Sequence, residues 1–155
     1  MEQGLQAAKE KANANIAPVL TEKIRPWLPR VTGGRYIDMV LNPDSLAVKV
    51  REPQGGFREA TVLSHGTMEQ IYLLLRLALA DVLASENEVS PIVLDDVTVQ
   101  SDRSRTEAFL ELLHEISQQR QVILFSQEQE VIDWGAARLR GPRDRLIELA
   151  AVGPL

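Results

Sequence analysis

Two carboxylates, Asp95 and Asp96, stand side by side directly after the apolar run Ile92-Val93-Leu94. A short, unalternating apolar run of this kind reads as a buried parallel strand. The C-terminal ends of such strands are where open α/β sheets bind their ligands. A carboxylate there can hold Mg²⁺, which takes oxygen ligands, keeps several waters and sits beside nucleotide phosphates. Successive strand residues face opposite ways, but at a strand end the chain is already turning, so both carboxylates can reach one site. Taken alone, such a pair also closes many strand-to-loop junctions where no metal binds.

A second group, Ser64-His65-Gly66, precedes the apolar run of residues 71–83. A hydroxyl, free backbone N–H groups and the positive end of a helix are thereby placed together, which suits an anion. An ordinary N-cap uses the same residue types only to satisfy the first turn. Further along stand Ser101-Asp102, then Ser126-Gln127 at the end of another apolar run.

The elements that must position these groups follow from the pattern. Residues 2–17 are good helix formers with little apolar stripe, as at the end of a longer coiled coil. Pro18, Pro26 and Pro29 should break or restart any helix there. Strands are expected at residues 36–41, 46–50 and 60–62, separated by Asn42-Pro43-Asp44-Ser45 and Pro53-Gln54-Gly55-Gly56, which together make a small antiparallel sheet. Thr67 and Gln70 have capping-box spacing, and the following helix is so apolar that it must pack on more than one side. Residues 103–118 read as an amphipathic helix with Phe109, Leu110, Leu113 and Ile116 inward. Residues 121–125 read as a second buried strand, 131–137 as a short helix, and Leu139 with 146–149 as closing strands. Strand, helix, strand after Pro91 is a βαβ unit, so the second half should hold a parallel sheet.

Composition narrows the classes. The 155 residues carry a net charge of −5, which argues against a domain that coats nucleic acid through bulk positive charge. Arg138, Arg140, Arg143 and Arg145 crowd together, and Arg103 and Arg105 follow the acidic strand end. Both groups read first as solvated surface and second as phosphate contacts. With no cysteine and two histidines, a disulfide or a thiolate metal site is excluded for this sequence. No apolar run is long enough to span a bilayer, and the first residues lack a signal-peptide core, so a cytoplasmic protein is expected.

Taken as an ordered set, Ser64-x-Gly66, Asp95-Asp96, Ser101-Asp102 and Ser126-Gln127 resemble the second half of an ABC-type ATPase head. The similarity is to the branch containing SMC proteins, SbcC, RecF, RecN and the YhaN-like ATPases. Thr32-Gly33-Gly34-Arg35-Tyr36, together with the stretch from Leu63 to Ala78, is similar to the YhaN-like group, and the resemblance spans roughly residues 30–135. It implies an α/β fold: a parallel sheet flanked by helices, a small antiparallel region, and residues 1–29 as the stump of a coiled coil before a lobe at 30–155. It also implies roles. Ser64 and Gly66 match the signature that reaches the γ-phosphate on the opposite head. Asp95 matches the Walker B aspartate that holds Mg²⁺ through water. Asp96 stands where most members have a glutamate that polarises the attacking water, a double-aspartate form similar to that of RecF-like members. Asp102 matches the D-loop aspartate. Gln127 replaces a histidine at the switch position, and an amide can hydrogen-bond a phosphate but cannot become cationic. Arg76 lies where SbcC-type proteins carry a basic residue coupling nucleotide state to lobe rotation, although an arginine there could equally satisfy buried carbonyls.

No Gly-x-x-x-x-Gly-Lys-Ser/Thr run occurs in the sequence, so nothing here cradles the α- and β-phosphates. The resemblance places that loop in an N-terminal Walker A lobe. It implies ATP and Mg²⁺ as cofactors, and a second head, DNA and a nuclease or effector subunit as partners. The setting it implies is DNA repair, chromosome maintenance or anti-phage defence, with no membrane. Three readings follow: an ATPase half-site, a nucleotide-gated regulatory subunit with little hydrolysis, and a plain α/β interaction domain.

Overall fold

The computed structural model describes residues 2–84, 90–97 and 102–149, with side chains described from residue 13 onward. Helix α1 (Glu2–Ile24) runs through Pro18 without a break, contrary to the sequence expectation. Proline removes one helical hydrogen bond and costs about 3 kcal/mol in a helix interior. Here tertiary packing offsets that cost, because Ala17, Leu20, Thr21 and Ile24 are buried against the rest of the chain. The restart comes at Pro26, which stands at the N-cap of α2 (Trp27–Val31). Pro29 is tolerated inside α2 because it sits in the first turn, where no backbone N–H has a helical partner.

Helix α2 ends in a Schellman arrangement. Gly33 and Gly34 have φ of +62° and +77°, and the Gly34 N–H donates to the Pro29 carbonyl at 2.7 Å. The Thr32 hydroxyl donates to the Leu28 carbonyl at 2.7 Å and accepts from the Tyr36 N–H at 3.2 Å, which fixes the buried Tyr36. A Cβ at Gly33 would meet nothing within 4 Å, so only backbone strain opposes a side chain there. Gly33→Ala is therefore expected to lower the unfolding free energy by about 1–2 kcal/mol in urea denaturation.

The antiparallel sheet is present, with β1 (Asp38–Leu41), β2 (Val48–Arg51) and β3 (Phe57–Glu59) in that order. Pairing of Met39 with Val50 and of Leu41 with Val48 puts four buried side chains on one face. Two boundaries differ from expectation. Strand β2 starts at Val48 because Leu46 takes a left-handed turn conformation, φ +57°, after Asn42 Oδ1 accepts the N–H groups of Asp44 and Ser45. The third strand is Phe57–Glu59, since pairing resumes at once across the tight turn, Arg51 opposite Phe57; residues 60–62 form a 3₁₀ turn instead.

Helix α3 (His65–Leu83) packs on α1, α2 and the 3₁₀ turn. Strand β4 (Ile92–Asp95), helix α4 (Arg103–Ile116) and strand β5 (Val122–Phe125) form the expected βαβ unit, with β4 and β5 parallel and in register from Ile92–Val122 to Asp95–Phe125. Helix α5 (Gln129–Arg138) follows. A single apolar cluster joins the end of α1, α2, the antiparallel sheet, α3, β4 and α4.

Two further expectations are corrected. Strand β4 is buried on one side only: Ile92 and Leu94 face the core while Val93 is 59% exposed, and Phe125 on β5 is 45% exposed. An unalternating apolar strand is suited to cover on both faces, and this chain covers one. The closing strands at Leu139 and 146–149 are not formed, and Leu146, Ile147 and Leu149 are exposed. They meet no sheet edge among the described residues, and strand backbone without a ladder partner gains nothing over solvated coil. Among the described residues no helix is long and apolar enough to cross a membrane.

Candidate functional site

The sheet delivers the acidic pair to its C-terminal edge. Asp95 is the last residue of β4 and its side chain is exposed. Asp96 leaves the strand with φ +46°, while its N–H still donates to the Phe125 carbonyl at 3.0 Å. The left-handed region is costly for a residue with a Cβ, least so for Asp and Asn, and such strain concentrates at functional sites. It breaks the two-residue alternation at the point where two adjacent carboxylates would otherwise diverge. Gln127, two residues beyond β5, has its Nε2 3.5 Å from Asp96 Oδ2. Asp96 Oδ1 is buried and has no hydrogen-bond partner among the described residues. A buried carboxylate oxygen without a donor is costly unless a ligand meets it.

This donor set suits one kind of cation. Among the described residues no three His, Cys, Asp or Glu side chains cluster as a metal cage. Carboxylate oxygens at a strand end are donors of the kind Mg²⁺ takes, alongside its retained waters and phosphate oxygens.

The second group lies at the start of α3. Ser64 occupies the N-cap position in extended conformation, yet its hydroxyl does not cap the helix. It meets the Thr67 hydroxyl at 2.8 Å instead. The capping box expected from Thr67 is absent because the 3₁₀ turn and the extended Leu63 and Ser64 start the helix at His65, placing Thr67 inside the first turn, where it is 1% exposed. Gly66 is half-buried in that same turn.

Asp102 caps α4 by accepting the Arg105 N–H at 3.1 Å. The Ser104 hydroxyl at 2.7 Å is the largest influence holding the Asp102 carboxyl below the usual range, followed by the Arg105 N–H. Arg105 Nε also pairs with Asp102 Oδ2 at 3.0 Å, and its Nη1 lies 3.5 Å from Thr67 Oγ1. Ser64, Thr67, Arg105 and Asp102 thus form one connected group, and Asp96 with Gln127 another, with Asp95 exposed at the end of β4 beside it. Ser101 lies outside the described residues.

Arg76 is exposed on α3. Arg103 pairs with Glu107 at 3.1 Å and Glu130 at 3.6 Å, and Arg138 pairs with Glu111 at 3.1 Å. Arg145 donates to the carbonyls of Pro142 and Asp144, while Arg140 and Arg143 are exposed. From the sequence alone Arg105 reads as surface and Thr67 as a cap. Their recurrence three residues after Asp102 and Ser64 was the available sign that each would turn back on its partner.

No protein-family model matches the chain. Over 117 residues it is 31% identical to protein YhaN of Bacillus subtilis (strain 168), a match covering 75% of this chain and 12% of that protein. The chain therefore spans about an eighth of that relative's length. Among solved structures, it superposes with TM-score 0.66 and 14% identity on a chain from work on ATP-driven dimerization and DNA-stimulated activation of SMC ATPases, covering 81% of this chain and 78% of that one. The Smc head domain of Pyrococcus furiosus, bound there to the C-terminal domain of ScpA, gives 0.63 and 12%, covering 85% of this chain and 34% of that one. The SMC head domain of Thermotoga maritima gives 0.55 and 20%, covering 81% and 44%. Most of this chain thus maps onto a minority of each of those two heads. The chain has the fold of the C-terminal half of an SMC-like ATPase head.

Proposed function

We propose that this chain is the C-terminal nucleotide-binding lobe of an SMC-like ATPase. It works with an N-terminal Walker A lobe of the same protein and, in the cytoplasm, drives engagement of two heads on DNA. Residues 1–29 are the end of the connecting coiled coil, and residues 30–155 the lobe itself. The carrying observation is Asp96, held in a left-handed turn at the end of β4 with one carboxylate oxygen buried and unmet, beside Gln127. Support for a covering lobe comes from the apolar face of the parallel sheet, where Val93 and Phe125 stand exposed.

In this reading Asp95 holds Mg²⁺ through water, and Asp96 accepts the proton of the water that attacks the γ-phosphate. Bound Mg²⁺ would neutralise phosphate charge as it develops. Gln127 orients that water or the phosphate by hydrogen bonding. Ser64 and Gly66 contact the γ-phosphate held by the opposite head, with Asp102 at the same junction. Arg76, exposed on α3, is positioned to answer the movement of the companion lobe. The setting is DNA repair, chromosome maintenance or phage defence, with a nuclease or effector subunit as a further partner.

A second reading, an ATP-gated regulatory subunit with little hydrolysis, is favoured by Gln127 and the short Asp96 side chain. Measuring Mg²⁺-dependent hydrolysis and ATP-driven head dimerisation in the protein carrying both lobes separates the two. In that protein Ser64→Ala is expected to weaken dimerisation about tenfold, the loss of one hydrogen bond to a charged group. Unchanged dimerisation would remove Ser64 from the phosphate contact, and dimerisation without turnover would favour the regulatory reading.

A further inference from the structure

We propose that Arg105 is a positioning residue that reinforces donation from the Thr67 hydroxyl to Ser64, so that the Ser64 O–H is free to donate outward to a phosphate oxygen. This rests on the reading of Ser64 as a phosphate contact. A guanidinium has donors and no acceptor, so Arg105, whose Nη1 lies 3.5 Å from Thr67 Oγ1, can only donate into that oxygen. Thr67 as a residue is 1% exposed, and Ser64 Oγ at 2.8 Å is the other partner of its hydroxyl among the described residues.

Two arrangements are conceivable. If Ser64 donated to Thr67, the Thr67 oxygen would receive two donors and its own buried proton would have no acceptor. If Thr67 donates to Ser64, every buried group is satisfied, and the remaining Ser64 proton points to whatever lies outside. The buried proton favours the second arrangement, and Arg105, by occupying a lone pair of the Thr67 oxygen, makes the first less favourable still. A positive charge near the Thr67 oxygen also strengthens Thr67 as a donor, since chained hydrogen bonds polarise one another. Arg105 is held for this task by Asp102, through the 3.0 Å ion pair and the cap of α4. The hydroxyl at the start of α3 and the aspartate at the start of α4 therefore share one guanidinium.

The test is a double-mutant cycle in the protein carrying both lobes, reading ATP-driven head dimerisation with Mg²⁺ and the thermal midpoint in parallel. Arg105→Met and Thr67→Val are each expected to weaken dimerisation about fivefold, and Thr67→Ser to preserve it, because only the hydroxyl chain matters. In the Ser64→Ala background neither substitution should weaken it further. A fivefold loss that persists without the Ser64 hydroxyl, or that tracks the thermal midpoint, overturns the proposal and makes Arg105 structural. If Ser64→Ala itself leaves dimerisation unchanged, the phosphate reading of Ser64 falls, and the relay with it. Should Arg105→Met fail to fold, Arg105→Lys, which keeps a positive charge for Asp102 but not the guanidinium donor at Thr67, is read in the same cycle with the same outcomes.

Discussion

Asp96→Asn is expected to reduce ATP turnover by about 10²–10⁴-fold, the usual contribution of a positioned general base, while ATP-driven head engagement persists. The substitution keeps the shape of the side chain, and Asn tolerates the left-handed backbone at φ +46° almost as well as Asp. What it removes is the ability to take a proton. It also replaces a carboxylate whose Oδ1 is buried and unmet by an amide that offers donors in that space. On the proposed function binding and catalysis should therefore separate, with engagement following Ser64 and turnover following the Asp96 carboxylate. The measurement is Mg²⁺-dependent phosphate release together with head dimerisation, in the protein carrying both lobes. An unchanged rate would mean that Asp96 is not the base.

The largest expected loss of stability comes from Asp81→Ala. Asp81 on α3 accepts from Arg120 Nη2 at 2.9 Å and pairs with Lys23 on α1. The Arg120 side chain, in the turn before β5, is 5% exposed, and that of Asp81 30%. Removing Asp81 strands a buried guanidinium without its counter-charge, which costs about 3 kcal/mol at the lower end of the range for broken buried pairs. For a chain of this size that is a fall of roughly 6–12 °C in the melting temperature. Asp81→Asn, which keeps an acceptor for Arg120, should lose less. Adding Arg120→Met to Asp81→Ala should restore much of the loss, because no unpaired charge remains. Thermal unfolding of the three variants against the parent protein checks this. A fall below about 2 °C for Asp81→Ala would show that water reaches Arg120 and screens it.

The same junction holds α3 against the end of α1. The single aspartate ties the end of α1, the last turn of α3 and the entry to β5 into one node. Nothing in the local pattern around Asp81 announced it, because its partners lie 58 residues before and 39 residues after it.

How far the sequence alone reached is clearest in the βαβ unit. Ile92-Val93-Leu94 and the run ending at Phe125 each declared a strand, and the amphipathic period between them declared α4. The two antiparallel turns and the start of a helix near Ser64 were equally plain. These features are local: apolar period, turn chemistry and cap residues act over a few positions, so the residues themselves dictate them. The acidic pair at the strand end and the serine at the helix start were placed in this way.

What the residues alone left undetermined depended on distant partners. Pro18 stays helical because Ala17, Leu20 and Ile24 pack on the lobe, a gain no local scale contains. The third strand moved to Phe57 because its register is set across the turn by Arg51. Asp96 turned left-handed and met Gln127, and Arg105 reached across to Thr67, only once β4, β5, α3 and α4 were stacked. Periodicity assigns elements because backbone hydrogen bonding is local. Which side chains then share a proton or a charge is decided by packing, since contacts across 30 or more residues form only when the core closes.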